Sequence, residues 1–142
     1  MKISTKGRYA LRMLLDLAQN QGDGYVSLKD IAQRQEVSKK YLEQIVPILN
    51  KSGFLKTNRG YQGGYMLSKP PRQYTVGDIL RPIEGHLACV ACLETHPNPC
   101  PQYSQCRTVH FWEGLQRVIL DYLDGTTLAT LAGQHENTPF PC

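Results

Sequence analysis

Between Cys89 and His110 the chain reads CVACLETHPNPCPQYSQCRTVH, and this run limits the possible folds more than any other. Pro97, Pro99 and Pro101 alternate through its middle. Each proline fixes φ and removes an amide donor, so neither a regular helix nor a central strand can pass through. The run is therefore a loop dividing a longer front part from a shorter back part. Its fixed points are sulfurs, since it holds four of the five cysteines.

The two parts differ in charge. Residues 1–84 carry 14 Lys and Arg against 7 Asp and Glu, a net of +7, while residues 85–142 carry 2 against 5, a net of −3. A basic front half is the electrostatic footprint of a nucleic-acid binder. With 142 residues, 41% of them hydrophobic, the chain forms one domain or a small domain with an appendage. No apolar run approaches the ~20 residues of a membrane span. The start, MKISTKGRYALR, has charges where a signal peptide has its apolar region. A cytoplasmic protein with no membrane partner is expected, and in that compartment cysteines serve metals or redox chemistry more often than structural disulfides.

The expected fold class is mainly α with a small β-hairpin: a winged helix-turn-helix plus a long dimerisation helix. Tyr9, Ala10, Met13, Leu14, Leu17 and Ala18 recur at helical spacing and predict a helix over residues 5–20, with Lys6, Arg8 and Arg12 at its start. Ser27 caps a short second helix, with Asp30 placed as in a capping box. Ser38 caps a third, whose inner stripe is Leu42, Ile45, Val46 and Leu49. Two short helices joined by the tight turn Gln35–Val37 make a helix-turn-helix, whose second helix enters the major groove. Its outer face offers Lys39, Lys40, Tyr41, Glu43 and Gln44. Pro47 inside this helix predicts a bend or a loosened last turn.

Residues 54–57 and 65–67 read as two strands around NRGYQGG, with Arg59 beside Gly60 at the hairpin tip and three glycines allowing positive φ. A helix-turn-helix followed by such a hairpin is a winged helix. A wing arginine suits a narrow minor groove, where negative potential concentrates. The DNA-binding set is then Arg8, Ser38, Lys39, Lys40, Tyr41, Glu43, Gln44, Arg59 and Gly60. Residues 68–73 form an extended connector. Thr75 caps a helix from Val76 to about Pro82, closed by Gly85.

Behind the loop, Phe111, Trp112, Leu115, Val118, Ile119, Tyr122 and Leu123 form a helical stripe that ends at Asp124-Gly125. A helix this apolar needs cover, and a second copy of the chain is the expected partner, matching a palindromic DNA site. Thr127 starts one more short helix. The expected divisions are 1–84 for the DNA-binding domain, 85–108 for the cysteine loop, 109–132 for the dimerisation and short C-terminal helices, and 133–142 for a flexible tail.

For the cysteines four readings compete: an iron–sulfur cluster, a structural zinc with Cys89 and Cys92 as a knuckle, a thiol–disulfide switch, and inert thiols. His86, His96 and His135 read as solvated loop histidines, and Cys142 as a bystander. No catalytic constellation stands out; NRGYQGG lacks the Lys-Ser/Thr of a phosphate loop. Neither an enzyme nor a small-molecule substrate is expected.

The segments STKGRYALRMLLDLA, SKKYLEQI, NRGYQGGYML, C-x7-C-x5-C followed by Trp112, and TLATL together resemble the Rrf-type family of winged-helix transcriptional regulators. The start and the YLEQ run are most similar to its IscR-like branch, which regulates iron–sulfur cluster assembly. The resemblance implies a homodimer on a palindromic double-stranded DNA operator, with Tyr41, Glu43 and Gln44 at the major groove and Arg59 in the minor groove. It also implies an iron–sulfur cluster held by Cys92, Cys100 and Cys106, for which [2Fe-2S] is favoured over [4Fe-4S]. In the IscR-like pattern a histidine follows the last cysteine by three residues; here that place is Val109, and His110 comes one later. The first cysteine spacing is also longer than in that pattern. NsrR-like members use an acidic N-terminal ligand where this chain has Arg8. For the fourth ligand position His110 and Cys89 compete. The alternatives are a thiol-redox or nitric-oxide-responsive repressor of the same fold, or a non-regulatory iron–sulfur or zinc protein.

Overall fold

A computed structural model describes residues 1–134. Cys142, His135 and most of the tail expected at 133–142 lie outside the described residues. The element order is α1 (Thr5–Asn20), α2 (Leu28–Gln35), α3 (Lys39–Lys51), β1 (Leu55–Asn58), β2 (Gly64–Leu67), α4 (Val76–Glu84), α5 (Val109–Gly125) and α6 (Leu128–Gln134). The architecture is mainly helical with one two-stranded antiparallel sheet: a winged helix followed by a long helix. No helix among the described residues is long and apolar enough to cross a membrane.

α1 is the centre of the core. Ser4 Oγ accepts from the Gly7 N–H at 3.0 Å and starts the helix. The expected stripe turns inward, with Ala10, Met13, Leu14 and Leu17 fully buried. α2 begins where Ser27 Oγ accepts from Asp30 N–H, and α3 where Ser38 Oγ accepts from Tyr41 N–H. α3 runs unbroken through Pro47. The proline is exposed, and so is Glu43, whose carbonyl would have bonded to the missing donor. An exposed proline on the outer face of the helix costs one backbone bond and displaces no core side chain.

β1 pairs with β2 from Leu55↔Leu67 to Asn58↔Gly64. Of the wing glycines only Gly60 needs a left-handed backbone, at φ 133°. Gly64 answers a different need: a Cβ there would stand 2.4 Å from the Val26 carbonyl oxygen. Val26 and Tyr65 exchange two 2.8 Å backbone bonds, a third-strand contact that the hairpin signal did not predict. The connector expected to be extended contains a 3₁₀ turn at Pro71–Gln73. It delivers Tyr74, fully buried, whose hydroxyl donates to the Phe54 carbonyl and accepts from Ser68 N–H.

α4 starts with a complete capping box between Thr75 and Asp78 and runs through Pro82 to Gly85. α6 packs on α1, and its Leu128, with no exposed surface, completes the same core. The strand-like bridge Thr75↔Thr127 and the bond from Val76 N–H to Thr126 carbonyl fasten that return. On α5 the apolar residues divide between two faces. Leu120 and Leu123 pack against a small cluster of Val76, Leu80 and Leu87. Phe111, Leu115, Val118 and Tyr122 point away from the chain, with Phe111, Val118 and Tyr122 63%, 66% and 74% exposed.

Candidate DNA-binding surface and cysteine loop

The helix-turn-helix is locked from beneath by a polar network. Asp16 on α1, fully buried, accepts from Arg34 Nε at 3.0 Å, Arg34 Nη2 at 2.6 Å and Gln35 Nε2 at 2.9 Å. The Asp16 hydrogen bond raises the Arg34 pKa above its usual value. Arg12 in turn donates to the Gln35 side chain at 3.0 Å and to its backbone carbonyl. Glu36 then takes a left-handed conformation, φ 54°, and the chain turns into α3. The end of α2 is thereby fixed on α1, and with it the entry angle of the recognition helix.

Lys39, Lys40, Glu43 and Gln44 are exposed on α3. Lys39 pairs with Glu43 at 3.7 Å. Tyr41 is half-buried, its ring edge-on to Tyr9 at 5.3 Å, and Arg12 lies over the Tyr9 ring at 5.3 Å. Ser38 spends its hydroxyl on the cap. A groove between α3 and the wing brings together Lys39, Glu43, Arg59 and Gly60, with Lys29 and Asn50 added to the set. Arg8, Lys40, Tyr41 and Gln44 stand outside that groove; Arg8 is exposed on α1 and donates to Thr5. Thr57 Oγ1 donates to Asn50 Oδ1 at 3.1 Å, tying the wing to the helix. Lys29 and Asn50 were missed because each reads alone as solvated helix surface. Three cations around one carboxylate suit phosphate contacts and one base-edge acceptor.

The cysteine loop has little burial. Its two short turns, Ala91–Leu93 and Tyr103–Gln105, contain no buried residue. Cys89, Cys92, Cys100 and Cys106 are free thiols of intermediate exposure. Asn98, between two prolines, donates to the Cys92 carbonyl and accepts from Cys100 N–H at 2.9 Å. The hydroxyl and backbone N–H of Thr108 hold the Cys106 thiol below its ordinary pKa. Cys89 is engaged differently: its N–H donates to Gln116 Oε1 at 2.7 Å and its thiol faces the Trp112 carbonyl at 3.5 Å. His110 is highly exposed and its Nδ1 lies 3.3 Å from Glu113 Oε2. Among the described residues no three His, Cys, Asp or Glu side chains converge as a ready-made metal site. In donor chemistry alone, the thiols of Cys92, Cys100 and Cys106, three of the four free cysteines on this loop, suit an iron–sulfur cluster.

α5 connects this loop to the reader. Arg81 on α4 donates to Asp124 on α5 at 2.7 Å, and a Cβ on Gly77 would stand 1.9 Å from Asp124 Oδ1. The other end of α4 meets α1, where Glu84 Oε1 accepts from Ser4 N–H and Oγ at 3.1 and 2.7 Å. A Cβ on Gly7 would stand 2.1 Å from that oxygen. Sequence patterns carry no signal for such close approaches, because a helical glycine reads only as a weak helix former.

Fold and surface together define a winged-helix transcriptional regulator. The profile of the Rrf2 family, described as "Iron-dependent Transcriptional regulator", matches residues 3–134, and the chain belongs to that family. It is 42% identical over 132 residues to the HTH-type transcriptional regulator CymR of Bacillus subtilis, covering 93% of this chain and 90% of that one. The structure of that relative, the global cysteine regulator of B. subtilis, superposes with a TM-score of 0.81 over 96% of this chain and 99% of that one, at 39% identity. The structure of T. potens IscR matches with a TM-score of 0.76 at 39% identity, covering 100% of this chain and 93% of that one. The chain is a transcriptional regulator and not an enzyme.

Proposed function

We propose that the protein is a cytoplasmic, homodimeric regulator that binds a palindromic operator with an affinity set by an iron–sulfur cluster on the cysteine loop, and that it controls cluster-assembly genes. The observation that carries the reading is the placement of three free thiols on a loop fastened to α5, which is itself fastened to the winged helix. The family's iron-dependent description and the IscR likeness support the cofactor. Cys92, Cys100 and Cys106 would hold the cluster, with His110 or Cys89 completing it. A [2Fe-2S] cluster held there would supply a labile, oxidisable centre. The exposed α5 face of Phe111, Leu115, Val118 and Tyr122 would pack against a second copy. In that dimer Lys39, Lys40, Tyr41, Glu43 and Gln44 face the major groove with Ser38 at the helix entry, Arg59 and Gly60 face the minor groove, and Arg8 meets phosphate.

The test is a visible absorption spectrum with iron and sulfide analysis on protein purified without oxygen, followed by operator affinity of cluster-loaded and cluster-free forms at one salt concentration. A difference of about 5–150-fold is expected for coupling of this kind. Identical affinities across a panel of operators would defeat the sensor reading. A second reading, a thiol switch, is favoured by the lowered pKa of Cys106 and by the relative described as a global cysteine regulator. It predicts operator affinity that responds to a disulfide oxidant in iron-free protein.

A further inference from the structure

Arg12 stands behind the recognition helix, where contacts with two different neighbours meet. Its Nε donates to Gln35 Oε1 at 3.0 Å and its Nη2 to the Gln35 backbone carbonyl. Its guanidinium also lies 5.3 Å from the centre of the Tyr9 ring, and that ring meets Tyr41 edge-on. Gln35 is buried, and its amide is fixed in one orientation: the oxygen accepts from Arg12 while the nitrogen donates to Asp16 at 2.9 Å. One half-buried cation therefore serves two routes to the start of α3.

The first route runs through the turn. Val37 N–H donates to the Ala32 carbonyl at 3.0 Å and Glu36 takes φ 54°, a helix ending in which glycine usually stands. A glutamate is strained there, so the turn depends on contacts from outside. Arg12 supplies one, as a cation on the last carbonyl of α2, where the helix dipole favours positive charge. Two residues beyond Glu36, Ser38 caps α3. The second route runs through the rings: Arg12 packs on Tyr9, and Tyr9 packs on Tyr41 in the first turn of α3. A lysine could not reproduce this, because a single ammonium lacks the planar fork that engages the Gln35 side chain, its carbonyl and the Tyr9 face together.

We propose that Arg12 is a positioning residue for sequence reading: it sets the attitude of α3 from behind, and so determines how Tyr41 and Gln44 meet the base edges, without itself neutralising a phosphate. The proposal rests on the assignment of Tyr41 and Gln44 to the major groove made above. Its consequence is that one cation of the basic front half controls specificity and leaves the salt-dependent, sequence-blind part of binding unchanged.

The experiment measures the affinity of the full chain for two duplexes across a salt series, one carrying a palindrome that wild type selects from a randomised pool and one of mixed sequence. Arg12→Met is expected to weaken binding to the selected duplex about 2–30-fold and to the mixed one much less, with the slope of log K against log salt unchanged. Arg12→Lys keeps the charge and is expected to lose as much. Should Arg12→Met fold poorly by circular dichroism, Tyr9→Leu opens the second route alone and is expected to give the same selective loss, while Tyr9→Phe keeps the ring and stays within about twofold of wild type. The losses in Arg12→Met and Tyr41→Ala are expected to overlap in the double variant. A slope lowered by about 1 in Arg12→Met and recovered in Arg12→Lys makes Arg12 a phosphate contact and overturns the proposal. Equal losses on both duplexes, or losses that multiply with Tyr41→Ala, overturn it as well. If Tyr41→Ala leaves the preference for the palindrome intact, or wild type selects no sequence, the groove assignment fails and the positioning role with it. A loss in Tyr41→Ala with none in Arg12→Met or Tyr9→Leu overturns the positioning role alone.

Discussion

Removing Arg34 should cost more than its surface position suggests. Asp16 has no exposed surface and accepts three hydrogen bonds, two of them from Arg34 at 3.0 and 2.6 Å. Arg34→Met leaves the carboxylate buried with only the Gln35 amide at 2.9 Å. Breaking a fully buried ion pair costs about 3–5 kcal/mol. The Arg34 side chain is 38% exposed, so water reaches its end of the pair and the expected cost falls to about 2–3 kcal/mol. With a urea m-value of about 1–3 kcal/mol/M, the unfolding midpoint should fall by roughly 1–2 M. The assay is urea unfolding followed by circular dichroism at one fixed protomer concentration, since any dimer shifts apparent stability by mass action. Adding Asp16→Asn to Arg34→Met should restore roughly half of the loss, because the uncompensated charge goes with it. A midpoint that moves by less than about 0.3 M, or a double variant weaker than the single one, refutes the argument that buried charge sets the cost.

Four further outcomes follow from the same geometry. Arg59→Ala should weaken binding to the protein's own operator more than to random duplex, as expected of a groove reader; equal losses in competition titrations make Arg59 a phosphate contact only. Val118→Asp with Tyr122→Asp places two charges on the exposed face of α5 and should yield monomer by analytical ultracentrifugation, while a dimer of unchanged stability moves the interface elsewhere. The hydrogen bond from Arg81 holds the Asp124 carboxyl below its ordinary pKa. Its stabilising effect is therefore present above the ordinary aspartate range and lost as pH falls through the lowered folded value, so Asp124→Asn should flatten the acid limb of a stability–pH profile by less than about 1 kcal/mol, the pair being exposed; an unflattened limb counts against the pair. Gly77→Leu should displace α5 from α4 and lower the melting temperature, and a wild-type melting curve would mean that Asp124 simply moves aside.

The helices were legible because their signals are local. Ser27, Ser38 and Thr75 each cap a helix that then buries one periodic stripe, and both caps and stripes depend on neighbours within a few residues. The wing was legible from its two short runs around the glycines. What escaped the sequence joins residues far apart. Gly64 is small because Val26 lies across from it, and Gly7 because Glu84 does. Tyr74, between the connector and the Thr75 cap, carries no pattern of its own in the sequence, and its role shows only where its hydroxyl bridges Ser68 and Phe54. The stripe on α5 was read as a single face because periodicity counts apolar residues and does not say which neighbour covers them; Leu120 and Leu123 meet the chain's own cluster while Val118 and Tyr122 do not. In the cysteine loop the thiols were evident, whereas Asn98 and Glu113 were not, since a lone polar residue has no periodicity to reveal it.

The same long-range contacts bear on how a loop could set DNA affinity under the proposed reading. Coupling needs an element with two arrangements and a stiff connection to the reader. The loop is the low-stability element: its short turns bury nothing, and it is fastened to α5 chiefly by Gln116 and Glu113. Beyond it, Asp124 approaches α4 beside Gly77, and Glu84 approaches α1 beside Gly7. Exposed ion pairs such as Arg81–Asp124 are individually worth only about 0–1 kcal/mol, so the packing of Leu120 and Leu123 on Val76, Leu80 and Leu87 carries most of the joint. From α1 the path reaches the recognition helix through Tyr9 against Tyr41 and through Arg12 on the last carbonyl of α2. A shift of α5 driven by the loop would therefore move α4 and α1 as one body. It would reach DNA as a change in the spacing of the two recognition helices in the dimer, with the fold of each reader preserved.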